Sequence, residues 1–322
     1  MSPAYAGVDL GGTSIATVVV SAGGTIMGAD RRPTPRRSQL DEVPATIAGS
    51  VHAAIVDAAC DPTDVVGIGI GCPGQVDRTA GTFGNASTLP DWPDSFPLAA
   101  EVSSHLSRPV VLDNDVRLAV AAEISSGSGR AFPSFLGVFL GTGVGAGLVL
   151  DGELWLGRGN AGEFGHMVVD FEVDARPCSC GRTGCVQAYA GRAGMEAAAR
   201  AAADAGRTTA LFDLMEFGDR DRLTSSIWER SVRGGDPLAQ ELVATAARAL
   251  GAALGSTVNL VDVDGVILGG GLAVALGETF REAVASAMAE RVLASSVPPV
   301  RLTALGDLSG AVGAAMLAAQ AD

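Results

Sequence analysis

Between Gly162 and Gln187 the chain reads "GEFGHM" and then "CSCGRTGCVQ", a stretch that holds one of its three histidines and three of its five cysteines. His166, Cys178, Cys180 and Cys185 follow the order H-x11-C-x-C-x4-C. One nitrogen and three sulfurs are the number and type of donors that close a tetrahedral zinc site. Gly181 and Gly184 let the chain turn between them. A disulfide would leave one of the three cysteines unpaired and is disfavoured in a reducing compartment. Four protein ligands leave no coordination position for substrate, so a metal here would brace a loop and not act as a Lewis acid. Cys60 and Cys72 stand apart and read as small buried residues.

Three glycine-rich turns form a second group: "DLGGTS" (Asp9 to Ser14), "LGTGVGAG" (Leu140 to Gly147) and "ILGGGLA" (Ile267 to Ala273). Any one of them can be a tight connection and nothing more. Glycine also lets a backbone approach a phosphate and aim N–H donors at it, and Asp9 could hold a metal ion or its water shell. Asn114 and Asp115 in "LDND" have two readings as well. The pair can cap a helix, or Asp115 can be a partly desolvated carboxylate able to take a proton from a hydroxyl.

Composition narrows the chemistry. All 22 basic residues are arginine and lysine is absent, which removes a P-loop NTPase, a protein-kinase-like site, a pyridoxal Schiff base and a Ser-Lys nucleophile. In such a chain, backbone N–H groups and a divalent cation must carry any phosphates. A net charge of −14 and a pI of about 4.6 leave no basic surplus for nucleic acid. The first residues show no signal peptide, so cytoplasmic residence is expected. The uncharged run Ala131 to Leu150 is 20 residues long, enough to span a bilayer, but its five glycines fit two buried strands around a turn better.

The elements that must position these groups follow from periodicity. At 322 residues, two domains are expected. Residues 4–32 read as three short strands, "AYAGVDL", "SIATVVV" and "TIMGADRR", joined by glycine turns. A helix over about 41–60 precedes "VVGIGIG" (65–71), apolar enough for a strand covered on both faces. "RPVVLDND" (108–115) is another such strand, and helical periodicity starts after it, so Asn114 and Asp115 sit at a strand end that opens a helix. A second cycle brings strands at about 134–140 and 144–150, three Ala-rich helices between 187 and 258, the strand "GVILGG" and a further helix. The two halves repeat one theme without close identity. "RRPTPRR" (31–37) is expected to be a solvated loop, an anion or partner contact being the alternative.

Taken together these motifs resemble the ROK family (repressor, open reading frame, kinase), in particular its zinc-containing, glucokinase-like branch. The likeness runs nearly end to end: "DLGGT", "GIGCPGQVD" (69–77), "LDND" (112–115), "GTGVGAGLVLDG" (141–152), "GNAGEFGHM" (159–167), "CSCGRTGC" (178–185) and "ILGGG" (267–271). It implies an α/β fold of the two-lobed actin-like (ribonuclease H-like) ATPase kind with a cleft between lobes. The expected small lobe is 1–117 plus 305–322, and the expected large lobe, 118–304, carries the zinc loop. By the same resemblance Asp115 is the catalytic base that draws the proton from a primary hydroxyl as it attacks the γ-phosphate of ATP with Mg²⁺. Gly74, Asn85, Thr88, Asn114, Asp115, Glu163, His166 and Gln187 match sugar-contacting positions, His166 binding both the structural Zn²⁺ and a sugar hydroxyl. Asp9, Gly11, Gly12, Thr13, Thr142, Gly143, Gly269 and Gly270 match phosphate and nucleotide positions. A homo-oligomer, dimer or tetramer, is implied, with a small-molecule sugar as partner and neither nucleic acid nor membrane.

The chain departs from the family pattern in three places. Ser14 replaces the usual Lys after the first turn, and "STLPDW" (87–92) stands for "NLPGW", so that the family's sugar-contacting Asn is either replaced by Thr88 or displaced to Asn85. Gln187 stands where a Glu usually binds the ring hydroxyls near C1 and C2. A carboxylate only accepts, whereas an amide accepts with one atom and donates with the other. The substrate is therefore expected to be glucose-like at the phosphorylated end, with an amino sugar or a C7-cyclitol of secondary metabolism as the alternative to a plain hexose. A non-catalytic sugar-binding protein is a further alternative. A ROK repressor is disfavoured because such proteins carry a helix-turn-helix ahead of the core, and here the core begins at Tyr5.

Overall fold

The computed structural model describes residues 3–12, 14–35, 42–84, 92–93, 95–158, 161–293 and 296–321. The chain divides into two compact units, one of Met1–Gly127 with Leu308–Asp322, the other of Ser128–Asp307.

In the first unit, β1 (Ala4–Leu10) and β2 (Ser14–Ser21), the second rich in β-branched residues, are buried almost throughout. They pair antiparallel, and β3 (Ile26–Pro33) adds an antiparallel edge strand. Helix α1 (Val43–Asp57) falls inside the expected 41–60 span and leads to β4 (Val65–Cys72), a nearly continuous apolar strand that joins β1 in parallel. A small hairpin, β5 (Gln75–Asp77) with β6 (Thr82–Gly84), and helix α2 (Leu98–Leu106) precede β7 (Val110–Asn114), which extends the sheet in parallel beside β4. The sheet order is β3-β2-β1-β4-β7, and helix α3 (Asp115–Ser126) follows directly. The segment 31–37 is not wholly a loop: Arg31, Arg32 and Pro33 complete β3, because they pair with Ala16, Ile15 and Ser14 of β2.

The second unit repeats the plan. The uncharged run is β8 (Phe135–Leu140) and β9 (Val144–Leu150), paired antiparallel and followed by β10 (Glu153–Trp155). No described helix is long and apolar enough to cross a membrane. Five helices, not three, fill the Ala-rich region: α4 (Val186–Ala190), α5 (Arg192–Asp204), α6 (Leu211–Phe217), α7 (Ser225–Arg233) and α8 (Pro237–Val261). Gly191 separates the first two, and Asp236 ends the run of short helices by capping α8 at Ala239 N while accepting from Thr209 Oγ1 and Ala210 N. Then β11 (Gly265–Gly269), α9 (Gly270–Ala289) and β12 (Val300–Leu302) complete a sheet of order β10-β9-β8-β11-β12, again three antiparallel strands extended by two parallel ones. One strand order occurring twice is the duplicated plan of the actin-like fold.

The last helix, α10 (Ser309–Ala321), belongs to the first unit. It lies directly on the sheet backbone: a Cβ on Gly7 or Gly69 would stand 1.9 Å from Ala311 O or 1.8 Å from Ala314 O. The expected boundary at 117/118 lies inside α3, which is continuous to Ser126, and the first compact unit runs to Gly127 and resumes at Leu308.

Candidate active site

In the first unit three parallel strands end side by side. The register Asp9–Gly71–Asp113 crosses β1, β4 and β7, and Cys72 pairs with Asn114 one residue on. Ligands of open α/β sheets gather at such carboxyl ends. Asn114 is the N-cap of α3: its Oδ1 accepts from Val116 N and Arg117 N, and its Nδ2 donates to Gly74 O. Both readings of the pair thus hold together, because the cap on Asn114 places Asp115 in the first turn of the helix. Asp115 is only partly exposed, and its surroundings exclude enough water to raise its carboxyl from the ordinary 3.8 to about 7; the charge of Asp9 adds to the rise, and the Val116 N–H opposes it. Burial and the charges of Asp115, Asp9 and Asp113 likewise push the Cys72 thiol well up. Asp113 is buried but compensated by Arg78 at 3.4 Å and Arg117 at 3.6 Å. Gly11 and Gly12 form the turn after Asp9, closed by Gly11 N donating to Ser14 O. Asn85, Thr88 and Thr13 lie outside the described residues.

In the second unit the corresponding turn, Gly141–Thr142–Gly143, follows β8. Gly141 N donates to Gly143 O, and the carbonyls of Gly141 and Thr142 accept from Arg192 N and Ala193 N at the start of α5. Gly270 (φ +80°) begins α9 so close to β8 that a Cβ would stand 2.5 Å from Leu140 O. Gly269 pairs with Phe139. Two of the glycine turns, with Thr142, Gly143, Gly269 and Gly270, are therefore neighbours.

The metal-type quartet is assembled. His166, Cys178, Cys180 and Cys185 each offer a ligand atom, all within 4.8 Å of one another. Ligands about 2.1–2.3 Å from a tetrahedral ion stand roughly 3.4–3.8 Å apart, and here Cys180 Sγ is 3.8 Å from Cys185 Sγ and Cys178 Sγ 3.7 Å from His166 Nδ1. The other ring nitrogen of His166, Nε2, lies 3.8 Å from Glu163 Oε2, so the two nitrogens serve different neighbours. A hydrogen bond from Arg182 is the main cause that draws the Cys180 thiol down to about 6. Bridges Val168–Cys185 and Pro177–Thr183 shape the loop, and Tyr189 supports it by donating to Asp170 and accepting from Arg176 N. Gln187 lies outside the quartet. Its Oε1 accepts from Val144 N at 3.2 Å and its Nε2 donates to Ser179 Oγ at 3.0 Å, which ties the glycine turn to the cysteine loop. Cys72 is buried as expected, whereas Cys60 is partly exposed.

Two residues near these turns escaped sequence reasoning. Thr34, inside the segment expected to be solvated, donates to Gly11 O at 2.6 Å and holds the first turn. Arg192 donates to Thr142 Oγ1 at 3.2 Å. The absence of lysine is the sequence signal that could have drawn attention to an arginine beside a glycine turn.

Similarity to known proteins agrees with this arrangement. The glucokinase of Streptomyces coelicolor is 33% identical over 322 residues, 98% of each chain. The N-acetyl-D-glucosamine kinase of Salmonella paratyphi B is 31% identical over 338 residues, 97% of this chain and 98% of that one. A crystal structure of a ROK family glucokinase from Streptomyces griseus, in complex with glucose and AMPPNP, superposes with a TM-score of 0.84 at 32% identity over 98% of this chain and 99% of its own, and so shares the two-lobed actin-like ATPase fold. The model of the ROK family matches residues 5–321, so nearly every element described above falls within that match, and the chain belongs to the ROK family.

Proposed function

We propose that this chain is an ATP-dependent sugar kinase that transfers the γ-phosphoryl group to the primary (6-type) hydroxyl of a hexose or glucose-like analogue, with Asp115 as general base. The observation that carries the reading is the Asp115 carboxyl, held at about 7 beside Asp9 where three parallel strands end. A base with a pKa near the working pH is ionised often enough and strong enough to draw the hydroxyl proton. The proton passes to Asp115 as the hydroxyl oxygen bonds to phosphorus and ADP leaves.

Asn114 fixes the base through the cap of α3 and presents its amide beside Gly74, while Asn85 and Thr88 belong to the same expected sugar surface. Glu163 and the Nε2 of His166 take ring hydroxyls. Asp9, with Gly11, Gly12 and Thr13, orients the cation and the transferring phosphate, and Thr142, Gly143, Gly269 and Gly270 receive the nucleotide. Mg²⁺, when bound, supplies positive charge to the β- and γ-phosphates. The quartet His166, Cys178, Cys180 and Cys185 fits a structural Zn²⁺, whose four protein donors leave it to brace the loop that leads into α4 and its Gln187. A cytoplasmic homo-oligomer, dimer or tetramer, is part of the same proposal, read by sedimentation of the purified chain.

Gln187 supports a second reading, an amino sugar or C7-cyclitol as the preferred acceptor. Both ends of its amide are engaged by Val144 N and Ser179, so it does not present the pair of acceptor oxygens that a carboxylate would offer a ring. The relative named N-acetyl-D-glucosamine kinase agrees with this direction. ADP release measured with ATP, Mg²⁺ and a panel of hexoses, amino sugars and cyclitols, with mass detection of the product, tests both readings. Sugar-dependent ADP release is expected. No release with any acceptor would leave a non-catalytic sugar-binding protein, and a wide kcat/KM advantage for glucose would remove the second reading.

A further inference from the structure

Arg192 opens α5 in the second unit, with its backbone N–H spent on Gly141 O and its guanidinium turned to Thr142 Oγ1. That neutral hydroxyl is a poor partner for a half-buried cation. Nε of Arg192 is out of contact with solvent and has no hydrogen-bond partner among the described residues. No carboxylate there reaches the group within ion-pair distance either. Glu196, a carboxylate whose charge favours that of Arg192, bonds Arg200 at 2.6 Å and accepts from Leu223 N at 3.0 Å. Arg222 adds a like charge, and burial together with that charge lowers the guanidinium's pKa. The loop that holds Arg222 leads into α7, whose Ser225 Oγ would lie 3.5 Å from a Cβ on Gly271 of the neighbouring glycine turn. Withdrawing part of a cation from water with only a neutral hydroxyl to bond lowers stability, so an arginine kept in this state fits a place where an anion arrives.

We propose that Arg192 is the cation that meets the phosphates of the donor nucleotide at the Gly141–Gly143 turn, an inference that rests on the kinase reading above. In a lysine-free chain two of the turn's N–H donors are already spent, Gly141 N on Gly143 O and Val144 N on Gln187 Oε1, so backbone groups alone leave the nucleotide's negative charge poorly matched. The planar fork of a guanidinium can take two phosphate oxygens while keeping the Thr142 contact. Arg222, exposed and close enough to be felt, supplements the field.

Calorimetric titration of wild type, Arg192→Gln and Arg192→Lys with MgATP and with adenosine tests this, alongside melting of each apo protein. The glutamine variant is expected to bind MgATP about 10- to 100-fold more weakly, the loss of a charge-assisted contact. Adenosine affinity should stay within about twofold, and the apo variant should melt no lower than wild type because an uncompensated charge has gone. MgATP binding by Arg192→Gln within twofold of a wild type that does bind it overturns the inference and leaves the kinase reading standing. Should the glutamine variant not fold, the lysine variant decides: several-fold weaker MgATP binding supports the role, and unchanged binding overturns it. A wild type that binds no MgATP sinks the kinase reading itself, and the inference with it.

Discussion

The two units share one strand order, yet the turns at the ends of their parallel strands carry opposite charge. In the first, Asp9 stands close enough to Asp115 to disfavour the ionisation of that carboxyl. In the second, a half-buried arginine faces a threonine hydroxyl. Duplication of a framework has therefore not duplicated its side chains: one copy gathers carboxylates at its turn, the other an arginine. Each stores a charge that folding alone would avoid, the usual mark of a functional site.

Asp115→Asn would break the acidic side of that contrast and has the largest expected effect. Removing the base should lower kcat by about 10²- to 10⁴-fold with KM for the sugar little changed. Because the base must be ionised, wild-type kcat should rise with pH and level off above about 7, and Asp9→Asn should move that rise to lower pH by removing a negative neighbour. Stability runs the other way. The folded carboxyl at about 7 binds its proton more tightly than the unfolded one at 3.8, so the stability it contributes is full below pH about 4 and is lost as pH climbs through 7. At pH 8 the asparagine variant should be more stable by about 1–3 kcal/mol, allowing for the part of Asp115 that solvent reaches, and equally stable at pH 4. A variant less stable than wild type at pH 8 would mean that Asp115 is a structural residue and not a stored base.

Metal removal probes the other unit and has an intermediate effect. A chelator should lower the melting temperature by roughly 4–8 °C, corresponding to about 2 kcal/mol, with hydrogen exchange rising in 166–187 and not in 4–127. The loss stays moderate because Tyr189, Asp170 and Arg176 support the loop without the metal, the Arg176 guanidinium lying 4.7 Å over the Tyr189 ring. Equal loss of protection in both units would show that the loop's order sustains the whole chain.

The elements that hold these sites were legible where local chemistry dictates them. The β-branched runs, the glycine turns between them and the spacing of His166 with the cysteines depend on neighbours in sequence. Asp115 could be placed at a strand end because Asn114 is a cap residue just before a helical period. The breaks among the Ala-rich helices were not legible: alanine favours helix everywhere, and Asp236 ends the series through bonds to Thr209 and Ala210, more than two dozen residues away. For the same reason Gln187 was readable as a departure from a family pattern but not as a tie between Val144 and Ser179. Arg192 looks like any helix arginine until its unpartnered Nε is seen.

The smallest effect separates how the two turns are anchored. The second turn is held by two backbone N–H groups of α5, which no substitution other than proline can remove. The first depends on Thr34, whose hydroxyl crosses from the end of β3 to Gly11 O. Thr34→Val keeps the shape and β-branching but deletes the donor. Water can reach this part-buried carbonyl, so the cost should be about 0.5–1 kcal/mol, near the low end for a lost hydrogen bond. If the turn positions the donor's phosphates, that loss should appear as a two- to fourfold rise in KM for MgATP, with KM for the sugar and the kcat pH profile unchanged. A rise matching that of Arg192→Gln would mean that the phosphates lean as heavily on the first turn as on the second, and the assignment of the positive field to one unit would fail. No change at all would mean that the closing bond from Gly11 N to Ser14 O holds the turn unaided.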